Sequence, residues 1–290
     1  MLNCRGVDFS AVMIHAAIGS NLLDQQSWAI TPAVPFDTRW LPRAWGKLPS
    51  PGYLEGNAVL GPDGQTVYNI LRVNSKPVIG NQALKLRLNQ LTNTLVFDRL
   101  IQLPGGHSKF VIRQDQLTRL YFTLSNVNEN LRYTDQRNIL VLCVSVDLNH
   151  WGVLKTLLVD DTGLTGRDSA RYTGFHYVDW QFDGDHNIVC AIRTSYRGAN
   201  SYHNSNRLTF LVVQDFRSGL DAHAGLVNLT VGPAGAVLRQ RHNGFEFFET
   251  ATQEYHLTPI TVLCKLFLDT DSFPHLTFES RSLRCLARFI

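Results

Sequence analysis

Short apolar runs separated by polar turns fill the chain from residue 55 to about residue 217. The first two runs flank the turn Gly61-Pro-Asp-Gly64, and such a turn between β-branched runs is a strong hairpin signal. The next two runs, residues 83–89 and 94–103, alternate apolar and polar residues as half-buried strands do. The pattern therefore predicts a unit of four strands.

The four-strand pattern starts again near His107 and near Phe175. The second unit has a hairpin turning near Asp115 and two further strands around residues 147–150, and the third turns at residues 182–185 before a strand in residues 207–216. The units begin roughly 50 to 70 residues apart, which is the repeat length of a β-propeller blade. We therefore predict an all-β fold, a β-propeller of four-stranded blades. An open β-sandwich is the alternative, and four-strand units argue against it.

The two ends of the chain depart from this repeat. Residues 21–28 resemble residues 145–151, because each has a short polar turn that leads to a tryptophan. The chain is therefore expected to open at the third strand of a blade whose inner strands are missing. Residues 1–217 are assigned to propeller blades, and residues 218–290 to a degenerate last blade or an altered C-terminus. Within this last part, residues 258–268 fit either a helix or further strands.

Composition narrows the classes of partner. The 27 basic and 24 acidic residues give a net charge of +3 without a basic block, which disfavours nucleic acid as the main partner. No apolar run is long enough for a transmembrane helix, and the N-terminus lacks the pattern of a secretion signal. Cys143 and Cys190 lie inside apolar runs and are predicted to be buried free thiols. The His and Cys residues do not have the spacing of metal ligands, so no metal is predicted. The sequence also has no phosphate-binding motif, and no cofactor is predicted.

In a propeller the ends of the inner strands open on a central mouth, so polar residues at these ends converge. The first strands carry Glu55, Asn57, His107, Lys109, His176 and Asp179, and the second strands end near Arg72, Ser125, Asn126, Arg193 and Tyr196. Such a set suits glycoside chemistry, in which two acid/base groups flank the scissile bond and cations hold an acidic sugar.

Several of these residues also have a structural interpretation. Glu55 and His107 would then satisfy neighbouring backbone groups, and Arg193 would be a salt partner of Asp179. His203 lies in a polar loop, where functional groups are often found.

Several motifs together carry a family resemblance. They are Leu54-Glu-Gly-Asn57, Pro104-Gly-Gly-His107, Arg137-Asn138, the turn ending at Trp151, Tyr177-Val-Asp-Trp180, Arg193-Thr-x-Tyr196 and His203-x-x-Asn206. In this order they resemble the sialidase-like β-propeller proteins with Asp-box turns, a group of exo-sialidases and glycosyl hydrolases, over about residues 10 to 217. The resemblance implies a carbohydrate-active protein, usually secreted, with its site at the central mouth and no cofactor.

Sialidases use an arginine triad, a Tyr/Glu pair and an Asp acid, and the resemblance suggests Tyr196 with Glu55 for the pair. The candidate catalytic residues are Glu55, His107, Asp179, Tyr196 and His203. The candidate substrate-binding residues are Arg72, Lys109, Arg113, Arg137, Arg193 and Asn206. Related lyases cleave rhamnose–glucuronate linkages with His, Tyr and Arg, so lyase chemistry stays open, as does a non-catalytic carbohydrate-binding propeller. Asn200 and Asn204 replace a His and an Asp of the family pattern, which points to altered or weakened activity.

Overall fold

The computed structural model describes residues 10–78, 80–130 and 132–220, together with the short strands 239–241, 244–246 and 260–263. Its first complete sheet contains β5 (Gly52–Leu60), β6 (Val67–Asn74), β7 (Gln82–Asn89) and β8 (Thr94–Gln102). These strands pair antiparallel in the order of the chain. The Asp63 carboxylate accepts hydrogen bonds from the backbone of Gln65 and Thr66 and so closes the predicted first turn. The four-strand unit predicted here is confirmed.

A second four-stranded sheet follows with the same simple order. It contains β9 (Ile112–Gln114), β10 (Tyr121–Ser125), β11 (Ile139–Ser145) and β12 (Trp151–Val159). Because β9 begins at Ile112, His107 and Lys109 lie before the strand and not on it. The expectation that these two residues belong to the inner strand of this unit is therefore wrong.

The third sheet has three strands in the described part of the chain. These are β13 (Gly174–Asp183), β14 (Asn187–Ser195) and β15 (Arg207–Val213), with the predicted hairpin between β13 and β14. The connection before β13 contains the helix α1 (Gly166–Tyr172). Two of its residues, Ser169 and Ala170, are buried, so tertiary contacts favour a helix that the polar sequence did not indicate.

The first strands of the chain are short. β1 (Ser10–Ala11) pairs with β4 (Val34–Pro35), and β2 (Ile14–Ala17) pairs with β3 (Trp28–Ile30). The other edge of β2 pairs with a strand from late in the chain, Ile260–Leu263. Of the two alternatives for this segment, these four positions form a strand and not a helix, and β2 has a strand on each edge. The strands 239–241 and 244–246 pair with each other, and the rest of the sequence beyond residue 220 lies outside the described residues.

The two turns that end at a tryptophan use similar hydrogen bonds. In the turn before Trp151, the indole Nε1 donates to the Leu148 carbonyl at 3.3 Å. In the turn before Trp28, Nε1 donates to the Leu22 carbonyl at 3.0 Å. In both turns an aspartate oxygen accepts the amide two residues later at 2.9 Å. The aspartate bond is therefore common to both turns, whereas the carbonyl that accepts from the indole lies 3 residues before the tryptophan in one turn and 6 residues before it in the other.

Apolar layers separate successive sheets. Residues of β11 alternate between two of these layers: Leu140 and Leu142 face the sheet β13–β15, whereas Val141 and Cys143 face the sheet β5–β8. A third layer packs the segment 11–40 against β5–β8 through Met13. The sheets therefore stack face to face in chain order. Cys143 and Cys190 are buried and free, as predicted.

We expect Leu142→Ala to destabilise the fold by about 2–5 kcal/mol, because Leu142 is fully buried between two sheets and its truncation leaves a cavity. The free energy of unfolding, measured in urea by tryptophan fluorescence, tests this. Leu91→Ala is the matched control, since Leu91 is 99% exposed and its loss changes stability by no more than about 0.5 kcal/mol. Equal losses in the two variants would contradict the layer assigned to Leu142.

Candidate functional site

Two β-bulges occupy matching places in the first strands of two sheets. In β5 the pairing with β6 shifts register between Tyr53 and Gly56, which leaves Glu55 in the bulge. In β13 the pairing with β14 shifts between His176 and Asp179, which leaves Tyr177 in the bulge. Bulges re-aim side chains and are frequent beside active sites.

Tyr177 also has a backbone conformation that tyrosine rarely adopts. Its φ of 51° lies in the left-handed region, which costs a non-glycine residue of order 1 kcal/mol or more. Strained residues of this kind concentrate at functional sites, where the surrounding structure maintains them. Tyr177 is therefore the starting point for describing the site.

Glu55 and Arg72 form an ion pair beside Tyr177. Arg72 Nη1 lies 3.0 Å from Glu55 Oε2, and the Arg72 side chain is 10% exposed. Arg72 Nε donates to the His107 carbonyl at 2.5 Å, which fixes the guanidinium. Burial by itself would raise the pKa of Glu55, but the Arg72 cation and hydrogen bonds that include one from the Tyr177 hydroxyl hold that pKa below its ordinary value. Glu55 is thus a carboxylate that lies beside the Tyr177 phenol.

Two further arginines lie over the Tyr177 ring. The guanidinium carbon of Arg193 is 5.4 Å from the ring centroid, and that of Arg137 is 5.9 Å away. Two hydrogen bonds to the loop 203–205 fix the Arg193 guanidinium. Its Nε donates to Ser205 Oγ at 2.8 Å, and its Nη2 donates to the His203 carbonyl at 2.9 Å.

Arg137 is the most enclosed of the three arginines. Its side chain is 3% exposed, and Nη2 donates to Asp135 Oδ1 at 3.4 Å. Nε and Nη1 are buried and have no hydrogen-bond partner among the described residues. A buried donor without a partner costs about 1–3 kcal/mol, and more when the group is charged. The site therefore retains buried positive charge with two unpaired guanidinium donors.

Two stacked imidazoles complete the group. The rings of His176 and His203 lie 5.8 Å apart at 19°, and Tyr177 packs edge-on against both, at 5.3 Å and 6.3 Å. His176 is fully buried, and neither ring nitrogen completes a hydrogen bond within the described part. We call these seven residues the Tyr177 cluster: Glu55, Arg72, Arg137, His176, Tyr177, Arg193 and His203.

The histidines of the Tyr177 cluster resist protonation. Burial, followed by the cations of Arg137 and Arg193, lowers the pKa of His176 to about 2. Burial and the same arginines, together with Arg72, lower the pKa of His203. Both rings are consequently neutral near pH 7, so each has one nitrogen that can accept a proton.

His107 lies beside the Tyr177 cluster in a structural position. Its Nδ1 and Nε2 face the carbonyls of Gly80 and Gln136 at 2.6 Å and 2.9 Å, and burial lowers its pKa to about 4. The glycines before His107 do allow close contact, and the group in contact with them is the backbone of another segment of the chain. A Cβ on Gly106 would lie 2.3 Å from the Gln82 carbonyl oxygen. The geometry favours the structural interpretation of His107.

Lys109 lies near both Glu55 and Asp179. Lys109 is buried and makes one long hydrogen bond, 3.4 Å to the Val178 carbonyl, and burial lowers its pKa. Asp179 is 66% exposed, and its cationic neighbour is Arg113 at 3.7 Å. The suggested salt partnership of Asp179 with Arg193 is therefore wrong, because Arg193 is bonded to the loop 203–205.

Tyr196 and Asn206 lie at the base of the loop that carries His203. The Tyr196 hydroxyl donates to Asp161, not to Glu55, so the suggested Tyr196–Glu55 pair is not formed and Tyr177 takes that place. The Asn206 side chain accepts from the Tyr196 amide at 3.1 Å and donates to the Tyr196 carbonyl at 2.7 Å, which closes the loop.

The structure thus brings five of the eleven predicted residues into the Tyr177 cluster. These are Glu55, Arg72, Arg137, Arg193 and His203. Three residues of the site were not predicted: Tyr177, and behind Arg137 also Asp135 and Tyr202. His176 was expected among the converging residues but is not one of the eleven candidates. Tyr177 stands in one of the motifs that carry the resemblance, and His176 at a predicted strand end, so a signal existed for these two. Asp135 and Tyr202 lie in polar loops without such a signal.

Metal binding finds no support in the described residues, which contain no group of three or more His, Cys, Asp or Glu that could hold an ion. No helix in the same part of the chain is long and apolar enough to cross a membrane.

Comparisons with known proteins give distant structural likenesses. No protein-family model matches the chain, and no curated protein matches it. NanB with optactamide has 10% identity over 66% of this chain, with a TM-score of 0.38. A GH43 β-1,3-galactosidase with galactodeoxynojirimycin has 15% identity over 64% of this chain, with a TM-score of 0.34. An N-acetylgalactosamine deacetylase from F. plautii with blood group B trisaccharide has 10% identity over 74%, with a TM-score of 0.39.

The chain covers 26% of the length of NanB, 62% of the galactosidase and 70% of the deacetylase.

The neutral state of buried His176 predicts how stability depends on pH. Its folded pKa lies below the unfolded value of about 6.5, so its contribution is present above that pH and is lost as pH falls below it. Lowering the pH from 7 to 5 reduces the unfolding free energy of the wild type. This reduction should be about 2 kcal/mol smaller in His176→Asn. His203→Asn, at a more exposed ring, should shrink it less. Urea unfolding at both pH values tests this, and an unchanged fall in His176→Asn would contradict it.

Proposed function

We propose that this protein is a carbohydrate-active enzyme that binds an acidic glycan at the Tyr177 cluster and cleaves a glycosidic bond there, as in sialidase-like glycoside hydrolases. In this proposal the stacked sheets are blades of a β-propeller, and the first strands, with their two bulges, lie nearest its axis. The substrate is a sugar that carries a carboxylate, and the role is in the degradation of an acidic polysaccharide or glycoconjugate.

The observation that carries the proposal is the buried guanidinium of Arg137. Two of its nitrogens have no acceptor among the described residues, and the Arg193 cation lies over the same tyrosine ring. Arginine is well suited to hold a carboxylate, because its planar group donates several hydrogen bonds in a fixed geometry. An anionic sugar would supply the missing acceptors, whereas a neutral sugar would leave the charge uncompensated.

The Glu55–Tyr177 contact supports the chemical step. The phenol lies beside a carboxylate whose pKa is held low, so Glu55 is available as the base that takes the phenolic proton. The Tyr177 oxygen would then form a bond to the anomeric carbon while the bond from that carbon to the leaving oxygen breaks. An acid protonates the leaving oxygen, and water later releases the sugar from Tyr177. We assign the acid role to Asp179, which is exposed and follows Tyr177 by two residues.

Lyase action on a rhamnose–glucuronate type of linkage is the second candidate. The neutral imidazole of His203, the exposed one of the two stacked rings, favours it, because a lyase needs a base to remove the proton beside the uronate carboxyl group. Tyr177 would then protonate the leaving oxygen, and the arginines would neutralise the carboxylate. A binding protein without catalysis is the remaining alternative, and it predicts affinity without turnover.

Assays on sialosides and on a rhamnosyl-glucuronate polymer separate these functions. Hydrolysis releases a saturated sugar, whereas lyase action creates a double bond that absorbs in the ultraviolet. We expect hydrolysis of the acidic substrates and no turnover of their carboxyl methyl esters. Turnover of the esters at the same rate would contradict recognition of the carboxylate, and binding without turnover of either substrate would favour the non-catalytic alternative.

We expect Tyr177→Phe to lower kcat by about 10²- to 10⁴-fold, since the variant keeps the ring but loses the group that exchanges the proton with Glu55. Tyr196→Phe is the matched control, because the Tyr196 hydroxyl contacts Asp161 and should leave kcat unchanged. Steady-state kinetics on the substrate that the wild type turns over provides the test. A kcat loss in Tyr196→Phe with none in Tyr177→Phe would reverse the assignment.

A further inference from the structure

We propose that Asp135 is a positioning residue that fixes the Arg137 guanidinium for binding of a carboxylate, by joining loops from three sheets behind it. The inference rests on the proposed function in one respect, that the ligand of Arg137 is a carboxylate. Asp135 itself does not contact the reacting atoms in this proposal, since it acts through Arg137.

The contacts of Asp135 come from widely separated parts of the chain. Lys76 Nζ, in the connection after β6, lies 2.5 Å from Oδ2. The Tyr202 hydroxyl, in the connection after β14, donates to the same oxygen. Arg137 Nη2 donates to Oδ1 at 3.4 Å. Lys76, Asp135 and Tyr202 thus belong to the connections of three different sheets, and the Asp135 carboxylate, 15% exposed, is the point where these connections meet.

Asp135 restrains Arg137 in two ways. It accepts directly from Nη2, and it holds the Tyr202 hydroxyl, whose ring lies 5.1 Å from the Arg137 guanidinium carbon. Nη2 is the one guanidinium nitrogen of Arg137 with a partner among the described residues. Without Asp135 the long side chain would regain rotamer freedom, which binding of a ligand would then have to remove.

The charge of Asp135 acts in the opposite direction, because a carboxylate near the site repels an anionic ligand. Lys76 at 2.5 Å compensates most of that charge, so its field at the ligand is small. Burial by itself would raise the pKa of Asp135, but Arg137 and Lys76 hold it well below its usual range, so the contacts persist at neutral pH. Positioning therefore outweighs repulsion, and loss of Asp135 weakens binding.

Binding of D-glucuronate and of its methyl ester by the full chain, followed by ligand-observed NMR, tests the inference without requiring turnover. We expect Asp135→Ala to weaken glucuronate binding about tenfold and to leave binding of the ester unchanged. Asp135→Asn, which keeps an acceptor, should recover part of the affinity. Asp161→Ala is the control, because it removes an exposed carboxylate that accepts from a tyrosine outside the Tyr177 cluster. Thermal unfolding of each variant establishes that it is folded.

A double-mutant cycle establishes whether Asp135 acts through Arg137. In an Arg137→Met background, Asp135→Ala should cause no further loss of glucuronate affinity. A tenfold loss in that background, or glucuronate binding by Asp135→Ala that equals or exceeds the wild type, overturns the inference.

A measurement without ligand separates this inference from the proposed function. The Arg137 Nε–H signal in ¹⁵N NMR, assigned by its absence in Arg137→Met, should be sharp in the wild type and broadened in Asp135→Ala. If the wild type binds no glucuronate but this signal broadens, the carboxylate ligand is wrong and the positioning role holds. If the signal is unchanged in Asp135→Ala, the positioning role is wrong whatever the ligand.

Discussion

Buried positive charge beside one phenol ring is the constraint on which the site depends. Arg72 and Arg137 are almost enclosed, and a buried guanidinium is tolerated when carboxylates and hydrogen bonds compensate its charge. Glu55 does this for Arg72 and Asp135 does it for Arg137, but Asp135 also serves Lys76. With the Arg193 cation over the same ring, four cations face two carboxylates, so two positive charges and two unpaired Arg137 donors are left over. This excess is the physical basis for an anionic ligand.

The fold makes this arrangement through the first strands of its sheets. A bulge in β5 exposes Glu55 to Arg72, and a bulge in β13 turns Tyr177 toward Glu55 from another sheet. Between them lies the sheet β9–β12, whose preceding loop supplies the His107 carbonyl that holds Arg72. The apolar layers that stack the sheets therefore also set the distances within the Tyr177 cluster.

Much of the fold could be predicted from the sequence, because strands with one face in each apolar layer must alternate with a period of two. This alternation predicted both four-stranded sheets and the hairpin at residues 182–185. The alternation did not predict helix α1, because its residues are mostly polar and two of them become buried through tertiary packing. The sequence pattern places His107 on a strand, whereas the glycines before it pack closely against the backbone of Gln82 and Asn126 in the folded chain.

For the site, the sequence by itself determined which chemical groups are present: arginines, histidines and a carboxylate at the ends of strands. Their partners depended on the tertiary structure. Tyr177 rather than Tyr196 meets Glu55, because a bulge and a left-handed φ are properties of the folded backbone that side-chain periodicity does not encode. Asp135 joins residues 59 and 67 positions away, and contacts over such separations exist once the sheets have stacked. Local sequence patterns determine where the strands lie. The partners of the buried charged groups are determined by how strands from different sheets pack together.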